Sequence, residues 1–174
     1  LVCTDMAVYQ PLVDLIFHRF HIPVYQSGTE DILQRSVIDT VLTALDAALG
    51  GFDQKETIRY LRSALSPLDP DTCDMVENYV VIWGIRGQKW MQEWENHPEG
   101  LGCVWDDASR QYLSVLNECR AALMAPLAQL REGFLKAGNV REQVMSIYQF
   151  LFQIRLEERL ENLAEEMDAS GDNQ

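Results

Sequence analysis

Three features of this 174-residue chain predict a mainly α fold, with a multi-helix domain over residues 28–174 behind a minimal strand–helix–strand piece over residues 1–27. Apolar residues recur three and four positions apart in successive segments, the mark of helices that bury one face. Glycine, proline and capping residues punctuate those segments where helices should start and stop. Extended patterning is confined to the first four residues and to residues 21–25. The punctuation implies about six to eight helices.

Taken in order, Leu1–Thr4 reads as a strand and Asp5 as the cap of a helix. Pro11 suits a first turn, and Leu12, Leu15, Ile16 and Phe20 continue at helical spacing. His21–Tyr25 reads as a stop and a second strand, because Pro23 biases Ile22 away from helix. Thr29 can cap a short helix through Asp31, Ile32 and Leu33. Val37, Ile38, Val41, Leu42, Leu45, Ala48 and Leu49 then form a wide apolar stripe that Gly50-Gly51 stops. Asp53 caps the next helix with Glu56 in capping-box position, and Ile58, Leu61 and Leu65 carry its buried face. Ser66–Pro70 breaks it.

The stretch Asp74–Trp94 holds three of the four tryptophans. Val76, Tyr79, Val80 and Trp83 share a helical face, after which Gly84 and Gly87 bracket Ile85 and Arg86. A second, short helix is expected to carry Trp90 and Trp94 one turn apart. Two readings of the turn stand side by side. Either two helices meet at a corner filled by tryptophans, or Arg86 faces a phosphate or a partner domain.

Glu95–Gly102 is irregular and is expected to be the most mobile loop. Asp106-Asp107 suits the start of a long helix rather than a metal or acid–base pair, since adjacent carboxylates point different ways. Tyr112, Leu116, Cys119, Leu123, Leu127, Leu130 and Phe134 form a narrow seam, kinked at Pro126 and ended by Gly138-Asn139. In the last segment Val144, Ile147, Tyr148 and Leu151 share a face. A second seam follows at Leu156, Leu160, Leu163 and Met167, and the five-residue step from Leu151 to Leu156 predicts a break near Ile154.

The string ENYVVIWGIRGQKWMQEW resembles a signature of AddB-type subunits, the nuclease-bearing, helicase-inactivated partners in bacterial ATP-dependent helicase–nucleases. ETIRYLRSALSPL and NVREQVMSIYQFL resemble the same family's pattern. The first 25 residues are similar to a strand–helix–GIPY unit of superfamily 1 helicases, with His21 where the glycine would stand. The resemblance implies that residues 1–27 are the edge of a helicase-like motor domain and residues 28–174 a helical insertion domain. It covers nearly the whole chain but only an interior slice of a much longer subunit. The start at Leu1 rather than Met agrees with an expected excised piece.

The net charge of −13 makes the chain a poor stand-alone nucleic-acid binder, although much of the acid crowds the C-terminus. No apolar run approaches a membrane span, and no signal peptide is read. Cys3, Cys73, Cys103 and Cys119 have no metal-knuckle spacing and suit a reducing cytosol. His18 and His21, three apart without a carboxylate motif, read as ordinary histidines. No phosphate loop, nucleophile elbow or zincin motif occurs, so neither catalytic nor cofactor-binding nor metal residues are expected. The resemblance implies an iron–sulfur cluster and magnesium in the parent subunit, outside this segment.

The residues expected to meet DNA or a partner are Arg59, Arg62, Arg86 and Lys89. Each is equally readable as a solvated surface cation. The resemblance implies a non-catalytic, DNA-guiding or scaffolding segment of a cytoplasmic complex with an AddA-type helicase–nuclease subunit. That complex unwinds and degrades DNA at double-strand breaks for recombinational repair. The competing expectation is an acidic helical protein-interaction module unrelated to DNA, which would show an exposed apolar stripe.

Overall fold

The computed structural model describes residues 6–24 and 36–170, and within these seven α-helices and one 3-10 turn are formed and no strand. The chain divides into two units, Leu1–Asp31 and Ile32–Gln174. The expected boundary after residue 27 and the expected helix at residues 31–33 lie outside the described residues, as does the expected strand Leu1–Thr4.

The first unit contains α1 (Met6–Arg19). The second strand expected from residue 21 is a correction. His21–Val24 follows the helix as irregular chain, because Pro23 offers no N–H and no described strand lies beside it to complete a ladder. His21 itself takes a left-handed conformation at φ 52°, and the Ile22 N–H donates back to the Phe17 carbonyl at 2.8 Å. A histidine thus does the work that glycine usually does at a helix end.

The second unit is built from α2 (Ser36–Leu49), α3 (Gln54–Leu61), α4 (Pro70–Trp83), α5 (Asp107–Lys136), α6 (Val140–Gln153) and α7 (Leu156–Ser170). The long α5 runs through Pro126 and packs against α2, α4 and α6. Leu116, Leu123, Leu127 and Leu130 of its predicted seam are buried, Cys119 and Phe134 are half-buried, and Tyr112 is exposed. At Gly133 the α5 backbone comes so close to α6 that a Cβ would lie 2.7 Å from Ser146 Oγ.

α2 buries a face shifted toward its small residues from the stripe its large ones suggest, with Val37, Ile38, Val41 and Leu45 half-buried. Thr40, Thr43, Ala44, Ala47 and Ala48 are inside, while Leu42 and Leu49 are exposed. Small side chains let α3 and α5 approach closely, and the Thr43 hydroxyl is satisfied by the Asp39 carbonyl at 2.8 Å. The break expected near Ile154 is present. Ile154 is buried, Arg155 is left-handed at φ 52°, and α7 restarts at Leu156. Leu156 is half-buried and Leu160 exposed, and the side chains of Leu163 and Met167 lie outside the described residues.

Helix starts follow the capping residues. Asp53 accepts from Lys55 N–H, Asp69 from Thr72 N–H, Asp106 from Ser109 N–H and Asn139 from Glu142 N–H. The Thr72 and Ser109 hydroxyls also donate to Asp69 and Asp106. These side-chain bonds, followed by the backbone bonds, hold both carboxyls below their ordinary range. A carboxyl whose folded value is depressed adds stability above its unfolded value and loses it as pH falls through the folded one. Asp69→Ala and Asp106→Ala are therefore expected to lower the melting temperature at neutral pH and to flatten the acid limb of its pH profile. Circular-dichroism melts across the acid range check this, and an acid limb as steep as the parent's would exclude these caps as its source.

Candidate functional site

The glycine-bracketed turn is assembled from three helix-end devices. Gly84 is left-handed at φ 55°, ψ 48°, and its N–H together with that of Ile85 returns to the Val80 carbonyl. Ile85 is buried and seals the end of α4, as the residue after a left-handed cap often does. At the end of α2, Gly51 is left-handed and Phe52 N–H donates to the Ala47 carbonyl at 2.9 Å. The two ends are then joined, because Gly87, left-handed at φ 59°, donates its N–H to the Phe52 carbonyl at 2.8 Å. The Arg131 guanidinium of α5 lies 5.6 Å from the Phe52 ring centroid and donates to the Ala48 carbonyl, capping α2.

Beyond the turn the chain forms one 3-10 turn, Gly87–Trp90, rather than the expected short α-helix. Trp94 follows on irregular chain, yet its ring still meets Trp90 at 5.7 Å and stacks on Tyr79 at 4.6 Å. Trp90 is wholly buried, Trp94 nearly so, and Trp83 is half-buried. The indole N–H groups of Trp94 and Trp83 donate to the Lys89 and His97 carbonyls. The Tyr79 hydroxyl both donates to the Asn96 carbonyl and accepts from its N–H.

Asn117 of α5 completes the arrangement, accepting from Trp94 N–H at 2.8 Å and donating to the Trp94 carbonyl at 2.9 Å. Arg120 donates to the Trp90 carbonyl at 3.1 Å. Neither residue stands out in the sequence. Only their position beside the α5 seam hints at a role. Within the loop expected to be mobile, His97, Pro98 and Gly100 are buried, while Leu101 and Gly102 are exposed.

The four candidate cations separate into two pairs. Arg59 reaches Asp39 at 3.6 Å and Asp46 at 3.7 Å on α2, and Arg62 reaches Asp74 at 2.8 Å and also Glu77 on α4. These arginines stitch α3 to its two neighbours. The bonds from Glu77 and Asp74 push the Arg62 guanidinium further up. Arg86, in extended conformation between the two glycines, and Lys89 on the 3-10 turn are exposed and form no ion pair among the described residues.

Among the described residues, His97, Glu99 and Cys103 alone bring three metal-ligating side chains within 4.8 Å of one another. The His97 Nδ1 already accepts the Glu99 N–H at 3.1 Å, which assigns the neutral ring's hydrogen to Nε2. Cys73 is buried with its thiol donating to the Leu61 carbonyl, and burial pushes the thiol up. No described cysteines gather as an iron–sulfur ligand set. No described helix is long and apolar enough to cross a membrane.

No family model matches the chain. Among curated proteins it is 29% identical over 175 residues to the B subunit of the ATP-dependent helicase/deoxyribonuclease of Clostridium acetobutylicum, covering 98% of this chain and 15% of that protein. It is 28% identical to the protein of the same name from Desulforamulus reducens, with 98% and 15% covered. The Geobacillus kaustophilus protein is 29% identical over 184 residues, with 98% and 16% covered. The chain is homologous to these B subunits. It spans about a sixth of their length or slightly less, so the resemblance read from the tryptophan-rich stretch holds for one region of a much longer protein.

Trp90 fills the centre of this corner and Arg86 projects from it. Trp90→Ala is expected to cost about 3–5 kcal/mol, and Trp83→Ala less because Trp83 is half-buried. Arg86→Ala should leave the unfolding midpoint unchanged. Urea titrations of the three variants check the order, and a midpoint for Arg86→Ala as low as that for Trp90→Ala would make the turn purely structural.

Proposed function

We propose that this chain is a non-catalytic, scaffolding and DNA-guiding segment of a B-type subunit in an ATP-dependent helicase–deoxyribonuclease. The observation that carries the reading is a rigid tryptophan corner that projects Arg86 and Lys89 outward, in a chain homologous along nearly its whole length to such subunits. The subunit would act in the cytoplasm with an A-type helicase–nuclease partner in double-strand-break repair and recombination. ATP hydrolysis, the magnesium-dependent nuclease and an iron–sulfur cluster belong to other parts of that assembly, since this sequence has no phosphate loop and no clustered cysteines.

The charge distribution narrows the role. A net charge of −13 opposes binding to phosphate over the whole surface, so DNA contact must be local. Arg59 and Arg62 face carboxylates of neighbouring helices, and those carboxylates would repel a phosphate. Arg86 and Lys89 carry no such neighbours among the described ion pairs, and the backbone beneath them is fixed at both ends.

In the assembled full-length complex, Arg86→Ala/Lys89→Ala is expected to weaken DNA binding. The slope of log K against log salt should fall by about 1.4–1.8, the release from two phosphate contacts at roughly 0.7–0.9 each. Fluorescence-anisotropy titrations at several salt concentrations, with subunit association measured in parallel, check this. An unchanged slope with weakened association would make the pair a partner contact and remove DNA guidance from the role. The 174-residue chain on its own is expected neither to hydrolyse ATP nor to cut DNA with magnesium. Cleavage that co-purifies with the chain and is retained after removal of any affinity tag would contradict a non-catalytic segment.

A further inference from the structure

Val144 and Tyr148 of α6 are exposed, although their spacing placed them on one buried face with Ile147 and Leu151. Another uncovered aromatic surface, beside the corner, is concave. A pocket of about 400 Å³ lies between Glu93-Trp94, Trp105 and the first turns of α5. That volume is within the roughly 300–1,000 Å³ of small-molecule sites. Trp94 is nearly buried and Leu113 half-buried, so they form its floor, while Trp105, Glu93 and Arg110 are exposed at its rim. Of the four tryptophans Trp105 alone is left exposed, at 38%.

The pocket has its shape before a ligand arrives. Asn117 holds the Trp94 backbone at both its N–H and its carbonyl. The Trp105 ring stands edge-on to buried His97, with 4.7 Å between centroids. Glu93 and Arg110 carry opposite charges, and Arg110 is already paired with Asp107 at 3.1 Å, so the rim offers an ion little net charge. Two indoles and a leucine with a charge-balanced rim suit a flat, uncharged aromatic ligand. The neighbouring residue says which one. Lys89, exposed where a phosphate would be met, accepts the Trp94 indole N–H on its carbonyl at 3.2 Å. An aromatic pocket joined by one hydrogen bond to a cation fits a nucleotide, which carries base and phosphate as one unit.

We infer that the pocket takes an unpaired base of single-stranded DNA, stacked on Trp105, with the adjoining phosphate toward Lys89. Such stacking tolerates any sequence, because every base has a π-face. A base inside a duplex cannot enter, since it would first have to leave its stack. Glu93 keeps the phosphate itself out. The inference rests on the DNA-guiding reading, in which a helicase supplies the unpaired strand.

Trp105→Ala and Trp105→Phe are built into the full-length subunit and assembled with its A-type partner. Fluorescence anisotropy then compares an ordinary single-stranded oligodeoxynucleotide with an abasic strand of equal length. Trp105→Ala is expected to weaken binding of the ordinary strand roughly 5- to 150-fold, the worth of one base–aromatic stack. The loss should be the same at every salt concentration, because no phosphate contact is removed. Trp105→Phe, which keeps a π-face, should lose much less, and on the abasic strand all three proteins should bind alike. In the unmodified complex, photocross-linking with a strand substituted throughout by 5-iododeoxyuridine should place an adduct on Trp105 or Trp94. Equal losses on both strands, a changed salt slope, or adducts only outside the pocket overturn the inference. So does weakened subunit association with unchanged DNA binding, since that places a partner's side chain in the pocket. The DNA-guiding role fails separately, when Arg86→Ala/Lys89→Ala leaves the salt slope unchanged. A pocket that fails alone leaves that slope change in place.

Discussion

The hydrogen bond from Gly87 N–H to the Phe52 carbonyl joins two helix ends that are far apart in sequence. Both ends are left-handed caps, and a left-handed cap turns the chain sharply while returning its free N–H groups to the last carbonyls of the helix. That geometry points the Phe52 carbonyl outward from the end of α2 and lays the Gly87 amide against it. Four left-handed residues stand in this register, and glycine occupies three of them, Gly51, Gly84 and Gly87, with Phe52 at φ 61° the fourth. With the turn held at that point, the 3-10 turn brings Trp90 into the core.

The corner resolves a conflict between packing and display. A cation cannot sit inside a tryptophan cluster without an expensive loss of hydration. Between Ile85 and Trp90 the side chains are sorted to opposite sides: Ile85 and Trp90 inward, Arg86, Gln88 and Lys89 outward. Of the two readings its sequence offered, the corner shows the first. It is a structural junction of α2, α4 and α5, and it presents two cations on a backbone that has little freedom to yield.

The sequence made helix number, most helix starts and the break at Ile154 legible, because caps and phase slips are local signals. The buried face of α2 was legible only in part, at Ala48 and at Leu45 packed on the core. Periodicity weights large apolar residues, whereas close approach selected Ala44, Ala47 and Ala48 and left Leu42 and Leu49 outside. The 3-10 turn escaped for a related reason. Trp90 and Trp94 do come together, but through packing on Tyr79 and hydrogen bonds from Asn117 rather than through a shared helix. Of the candidate cations, sequence spacing put Arg59 and Arg62 on one helix correctly. It could not show that acids on α2 and α4, distant in sequence, would face them.

Tertiary pairing thus decides which charges remain available, and in this chain it leaves few. Under the proposed DNA-guiding role, an acidic chain cannot rely on its overall field, which repels phosphate at long range and is screened beyond about 10 Å at moderate salt. It needs cations whose own neighbours are not carboxylates, held on backbone that does not move toward the many acids nearby. Burial of Ile85 and Trp90 on either side of Arg86 and Lys89 meets the second condition, and the diversion of Asp39, Asp46, Asp74 and Glu77 onto Arg59 and Arg62 meets the first. The ion pairs of α3 thus occupy Asp39 and Asp46 of α2 and Asp74 and Glu77 of α4, while Arg86 and Lys89 stay exposed outside them.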